Sequence, residues 1–286
     1  MLGWTSLLAL LTLLDLVYAG KRGVAWPWYN EGTNLTVSQL TSANVQWIYN
    51  WETWKPSATG SLNFIGTQRC IDCPSSPINQ LYARAIGQGW TTVFTLNEPD
   101  LSVGGTSPSD AARWYIQWIN PLNITKAIPA VTSSTAVGQG LDWVDGFITA
   151  CAGQCYFDYI NLHWYGASFE DFRAHIEGAH NRFPAYRVKQ LTQPDEIHCS
   201  QFGIPQLVIT EFALLPPATR QDQTAFLNTA MAFLDNITYV DYYAIFLATS
   251  PSLIIGNNGG SDYAGTTSTL FSDDGTLTLN GVAYRG

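Results

Sequence analysis

Eight short runs of β-branched and aromatic residues recur along the chain at fairly even intervals: Gly23 to Trp28, Val45 to Trp51, Asn63 to Gln68, Thr92 to Asn97, Lys126 to Thr132, Tyr159 to Tyr165, Gln206 to Phe212 and Tyr242 to Ala248. Runs of this length and composition read as strands. Several of the segments between them carry helical periodicity: Asp110 to Ile119 after a Ser-Pro-Ser start, Phe169 to Arg182, and Gln221 to Leu234 behind a cap at Thr219. Strand alternating with helix calls for a parallel sheet, because parallel neighbours need a crossover between them. Eight such units within residues 20–286 predict an α/β fold, a single (β/α)8 TIM barrel, although the helices after the second and third strands are poorly marked. No low-complexity tract, charge block or repeat divides those residues, so one continuous core is expected. In such a barrel the residues that end a strand face the active site.

Composition narrows the ligand. Only 12% of residues are charged and 13% are aromatic, and Lys and Arg number 13 against 22 Asp and Glu, a formal charge of -9. A nucleic acid or an anionic membrane would be repelled. Few charges with many rings suit a neutral, hydroxyl-rich ligand whose apolar faces lie on aromatic side chains, which is the chemistry of carbohydrate.

Residues 1–19 hold an apolar run from Leu7 to Val17 and small-residue spacing at Val17, Tyr18 and Ala19. This predicts a secretory signal peptide cleaved after Ala19, too short to span a bilayer. The mature chain, 20–286, is expected to be secreted, extracellular or wall-bound, monomeric and free of membrane. Sequons at Asn34, Asn123 and Asn236 then become glycosylation sites, and an oxidising compartment favours pairing among Cys70, Cys73, Cys151, Cys155 and Cys199, one of which stays over. Cys70-Ile-Asp-Cys73 reads as a local structural disulfide rather than a zinc half-site.

Two glutamates end proposed strands. Asn97-Glu98-Pro99 closes the fourth and Thr210-Glu211-Phe212 closes the seventh. Glycoside hydrolysis needs a carboxylic acid at the leaving oxygen and a second carboxylate across the sugar, so two such groups on one rim are the minimum equipment. Scarcely a base lies near either, and a buried carboxyl without a cation has a raised pKa or a ligand. A salt bridge or a helix cap would be the duller explanation. On the sixth strand, Asn161, His163 and Tyr165 share a face, from which His163 and Tyr165 could orient a carboxylate. Trp26, Trp28, Trp51 and Trp54 crowd early strand ends, where they could serve as sugar platforms, whereas Trp114, Trp118 and Trp143 lie at helical spacing and read as core.

Other chemistries find no motif. There is no Gly-x-Ser-x-Gly elbow, P-loop or dinucleotide fingerprint. His175 and His180 are five apart, off the i, i+4 pairing of a zinc site, and read as a solvated helix surface. Asp273-Asp274-Gly275 reads as a turn, not a calcium loop. Neither a metal nor an organic cofactor is expected.

Taken in order, GVAWPW, IYNW, LNEPD, NLHWYG, ITEFA and the closing run from Leu270 to Tyr284 resemble glycoside hydrolase family 128, the Asl-type catalytic core. The resemblance implies a clan A barrel with retaining chemistry on β-1,3-glucan, with β-glucan polysaccharide or oligosaccharide as the partner. It implies Glu98 as acid/base, Glu211 as nucleophile, Asn97 as partner of the sugar 2-hydroxyl and Tyr165 as partner of Glu211, with His163 and Trp51 lining the cleft. Two stretches depart from the typical pattern. Asn63 to Gln68 replaces a Pro-Met-x-Trp-like third strand, and Tyr243-Ala244-Ile245-Phe246 replaces Tyr-Ala-Trp-Phe. Loss of a tryptophan face at Ile245, about 1 kcal/mol or more of apolar contact, gives the alternative expectation of a non-hydrolytic β-1,3-glucan-binding cell-wall protein on the same fold.

Overall fold

The computed structural model describes residues 20–101, 105–183, 206–257 and 260–286. Residues 1–19, for which a signal peptide is expected, and Cys199 lie outside these. The described residues form nine strands: β1 (Arg22–Ala25), β2 (Val45–Tyr49), β3 (Asn63–Phe64), β4 (Gly66–Thr67), β5 (Thr92–Asn97), β6 (Thr125–Ala130), β7 (Tyr159–Gly166), β8 (Gln206–Leu214) and β9 (Val240–Tyr243). All pairings are parallel, in the order β3-β2-β1-β9-β8-β7-β6-β5-β4. The two ends of that order are halves of one segment on either side of Ile65, whose N–H donates to the Ile48 carbonyl at 2.9 Å. The sheet therefore closes on itself, and the eight expected strands form one barrel.

Alternation divides the side chains between two cores. Ala25, Trp47, Tyr49, Ile65, Phe94, Ala127, Tyr159, Val208 and Ala244 fill the interior. Trp47 plugs it, edge-on to Phe94 and Tyr242 at ring separations of 5.6 and 5.5 Å. Gly23 makes room for that plug, since a Cβ there would sit 2.1 Å from the indole. The opposite faces, with Val24, Ile48, Leu96, Ile128, Ile160, Trp164 and Phe212, pack outward against the helices.

Those helices are α1 (Leu81–Gly87), α2 (Pro108–Trp114, running on as a π turn over Tyr115–Ile119), α3 (Leu141–Cys151), α4 (Phe169–Arg182), α5 (Arg220–Asn236), α6 (Pro251–Asn257), α7 (Gly260–Ala264) and α8 (Leu279–Arg285). Their starts obey capping chemistry. Ser107 and Ser168 accept from the Asp110 and Asp171 amides, and Thr219 forms a reciprocal capping box with Asp222. Among the described residues no α-helix separates β1 from β2 or β2 from β3; two short 3-10 turns, Trp28–Asn30 and Val37–Gln39, fill the first crossover. Trp114 and Trp143 are buried as expected, the latter stacked on Phe147, and Trp118 packs half-buried against the same core.

Three expectations need correction or completion. His175 is not a solvated residue: its Nε2 is buried without a partner among the described residues, and burial lowers its pKa to about 4. Helix α4 turns Phe172, Ile176 and Ala179 inward and carries His175 with them, while His180 stacks on Tyr239. The eighth run ends its regular pairing at Tyr243, and Phe246 bonds irregularly to the Phe212 carbonyl. The cysteines pair locally as Cys70–Cys73 and Cys151–Cys155.

Candidate active site

The C-terminal rim of the barrel opens into a cleft of about 810 Å³ that Glu98 and Glu211 both line, with Tyr165, Phe246 and Tyr263 around them. Glu98 is where β5 leaves the sheet. Its backbone turns into the left-handed region, φ 46°, while its N–H stays bonded to the Ala130 carbonyl at 2.8 Å. Trp51, just beyond β2, has φ 60°. Non-glycine residues held in that region cost about 1–3 kcal/mol each and gather at functional sites. Asp100 secures the neighbouring rim by accepting from the Thr132 N–H and hydroxyl and from the Gly140 N–H. Gly140, at φ 53°, has no space for a Cβ, which would meet the Ser134 carbonyl at 2.1 Å.

Strand β7 supplies the partners of both carboxyl groups, because His163 and Tyr165 project from the same face. His163 Nδ1 meets Glu98 Oε1 at 2.9 Å, and Nε2 lies 3.0 Å from Thr210 Oγ1 and 3.5 Å from Glu211 Oε1. The Tyr165 hydroxyl donates to Glu211 Oε2 at 2.6 Å, and the Trp51 indole N–H donates to Oε1 at 2.7 Å. Glu98, Glu211 and His163 each bring a ligand atom within 4.8 Å of the others. Thr210 Oγ1, which lies 3.0 Å from Nε2, itself donates to Asn161 Oδ1 at 2.8 Å.

The two carboxyl groups differ in setting. Glu211 is buried; desolvation raises its pKa, the positive side of His163 opposes this, the charge of Glu98 adds to it, and the Tyr165 and Trp51 donors pull it back. The Glu98 side chain keeps 20% exposure to the cleft. Burial alone would lower the His163 pKa, but the charges of Glu211, Glu98 and Asp100 and the Glu98 hydrogen bond outweigh it and leave the pKa raised. Tyr165 is pushed well above the usual phenol range, by burial first and the two glutamates next, so it stays a neutral donor.

Of the residues singled out in the sequence, Glu98, Glu211, His163, Tyr165 and Trp51 come together here. Asn97 stands beside them, half-buried, its N–H bonded to the Arg69 carbonyl. Trp26 does not join them: it shares the outward face of β1 with Val24, is 4% exposed and lies edge-on to Phe271, so it offers no ring to a sugar in this cleft. Trp28 and Trp54 are the half-buried early rings, and the Arg69 guanidinium lies 5.6 Å from the Trp28 centroid. Ile245 likewise points to the outer core, and its neighbour Phe246 takes the cleft-side position, edge-on to Trp51 and Tyr165. At this strand end the cleft therefore takes its ring from Phe246 rather than from position 245. Thr210, as a partner of His163, and Tyr263 went unremarked in the sequence. Thr210 was legible as the residue before Glu211, whereas Tyr263 sits in no run or motif.

A closed parallel barrel with two strand-end glutamates facing one cleft has the architecture of a glycoside hydrolase. The chain belongs to the glycosyl hydrolase catalytic core family, whose pattern spans residues 23–284, and within it to glycoside hydrolase family 128. A family 128 subgroup IV endo-β-1,3-glucanase from Lentinula edodes is 47% identical, over 93% of this chain and 99% of its own, with a TM-score of 0.81. A subgroup III curdlan-specific exo-β-1,3-glucanase from Blastomyces gilchristii, 24% identical over 94% of this chain and 98% of its own, shares the fold at a TM-score of 0.68. Alkali-sensitive linkage protein 1 of Schizosaccharomyces pombe is 30% identical over 276 residues. These are 93% of this chain but 44% of that protein, so this chain spans less than half of that relative's length.

Proposed function

We propose that this chain is a secreted, retaining β-1,3-glucanase in which Glu98 is the acid/base and Glu211 the nucleophile. The observation that carries the reading is the approach of two unlike carboxyl groups, with ligand oxygens within 4.8 Å. Retaining glycosidases place their carboxyl groups about 5–5.5 Å apart and inverting ones farther, to leave room for a water. Glu98, exposed to the cleft and sharing a proton with His163, is equipped to protonate the leaving oxygen. Glu211, held on both oxygens by neutral donors, is equipped to attack the anomeric carbon. Water activated by Glu98 then releases the sugar.

The substrate class is supported by the glucanases of family 128 and by the cleft itself, which joins carboxylates to the rings of Phe246 and Tyr263. Export is supported by the two disulfides and by the exposure of Asn34, Asn123 and Asn236. A purely structural role for the cluster leaves unexplained why Trp51 and Glu98 both hold costly backbone conformations beside an open cleft.

The test is release of reducing ends from a linear β-1,3-glucan by the purified protein, with cellulose and xylan as comparisons and with Glu98→Gln and Glu211→Gln alongside. Activity on the β-1,3-glucan, lost in both variants, is the expected result. No release, with a melting temperature that rises on adding β-1,3-oligosaccharide, would replace the hydrolase with a glucan-binding protein.

A further inference from the structure

Behind the Glu98–His163 pair lies a second hydrogen-bonded pair that the reaction itself does not touch. Thr210 Oγ1 donates its one proton to Asn161 Oδ1 at 2.8 Å, so toward His163 Nε2, 3.0 Å away, it can only accept. Asn161, His163 and Thr210 are all buried, with exposures of 1%, 1% and 2%, so bulk solvent does not compete for these bonds. The Thr210 carbonyl is itself fixed by the Tyr49 hydroxyl at 2.8 Å. The tautomer of an imidazole is set by what its other nitrogen meets.

We propose that Thr210 and Asn161 are positioning residues that hold His163 in its Nε2–H form and so keep Glu98 loaded as the acid. This rests on the acid role given to Glu98 above. With Nε2 protonated, one proton lies on the line between Nδ1 and Glu98 Oε1, available to a leaving oxygen. Losing that proton in the free protein leaves two poor arrangements. Either the Nδ1 lone pair faces the Glu98 carboxylate, or the ring shifts its proton to Nδ1 and turns a bare Nε2 toward an acceptor-directed Thr210 and toward Glu211, 3.5 Å away. Among the described residues the charged groups that act on the ring are all acidic: Glu98 from the end of β5, Asp100 beyond it and Glu211 from β8. None of them stabilises a bare Nε2, so the ring keeps its Nε2 proton.

Thr210→Val removes the acceptor for Nε2–H, and Asn161→Ala frees the Thr210 hydroxyl to turn and donate to a bare Nε2. Both changes ease loss of the acid proton. The alkaline limb of kcat/KM on the β-1,3-glucan is expected to move to lower pH by about one unit in each, while Thr210→Ser keeps the wild-type limb. Histidine 15N NMR, with His163 assigned by its absence in His163→Gln, reads the same relay without turnover. Wild type should hold Nε2–H through the neutral range, and Thr210→Val should pass to Nδ1–H as pH rises. A wild-type ring already protonated on Nδ1 alone, unmoved limb and tautomer in both variants, or a Thr210→Ser shift equal to that of Thr210→Val would each overturn the proposal. Should wild type hydrolyse no glucan, the acid assignment falls while the NMR result still decides the relay.

Discussion

The hydroxyl of Tyr165 and the carboxylate of Glu211 meet at 2.6 Å across the paired strands β7 and β8, two residues beyond the point where His163 stands in register with Glu211. One strand, β7, thus holds both carboxyl groups, Glu98 through His163 and Glu211 through Tyr165. Parallel pairing fixes the geometry. A slip of one residue would turn both partners out of the barrel.

Removing one donor from Glu211 should weaken it as a nucleophile without unfolding the barrel. Hydrogen bonds to charged groups contribute about 1.5–3 kcal/mol, so Tyr165→Phe should lower kcat/KM roughly 10- to 100-fold. The lost donor had favoured the charged form. The acidic limb of kcat/KM should therefore move to higher pH, and steady-state kinetics across pH 4–8 will show the sign.

Glu98 and Glu211 should respond differently to an added nucleophile. On an aryl β-glucoside, whose phenolate departs without acid help, Glu98→Ala should lose about 10²–10⁴ in kcat and recover part of it with azide, a small anion that needs no base to attack a glycosyl–Glu211 intermediate. Glu211→Ala should not be rescued in that manner with retention. Initial rates with and without azide separate the two roles.

The buried Glu211 should make the protein more stable at acid than at neutral pH, as far as this residue is concerned. Its folded pKa stands above the unfolded value, so the native state holds the proton more tightly, and stability falls as pH rises from about 4.3 through the folded value. Glu211→Gln should accordingly melt at a higher temperature than wild type at pH 7 and match it near pH 4. Calorimetry at the two pH values tests this.

His175 works in the opposite sense. Burial depresses its pKa to about 4, so its neutral form stabilises the fold fully above its unfolded value near 6.5 and the contribution is lost as pH falls toward 4. His175→Leu should remove up to about 3 kcal/mol of that acid sensitivity, measured as the change in denaturation midpoint between pH 7 and pH 4.

Strand periodicity made most of this barrel legible. β5 begins and ends where its run does, and α4 spans the expected Phe169–Arg182. The third strand's division at Ile65 was not legible, because closure depends on neighbours distant in sequence. The glutamates were visible as strand-end carboxyls without bases, and alternation along β7 correctly grouped Asn161, His163 and Tyr165. Alternation also explains the errors. Trp26 and Ile245 each sit one residue from a cleft-facing position, and composition alone gives a ring no direction. His175 looked solvated because histidine is polar and its spacing fits no metal, yet α4 presses it inward.

The central claim is that Glu211 forms a covalent bond to the sugar and Glu98 serves both halves of the reaction. Proton NMR of a β-1,3-oligosaccharide during its first minutes with the protein reads this directly from the anomeric configuration of the newly formed reducing end. The account predicts the β-anomer first, followed by mutarotation to the equilibrium mixture. Initial formation of the α-anomer would mean single displacement by water and would contradict it.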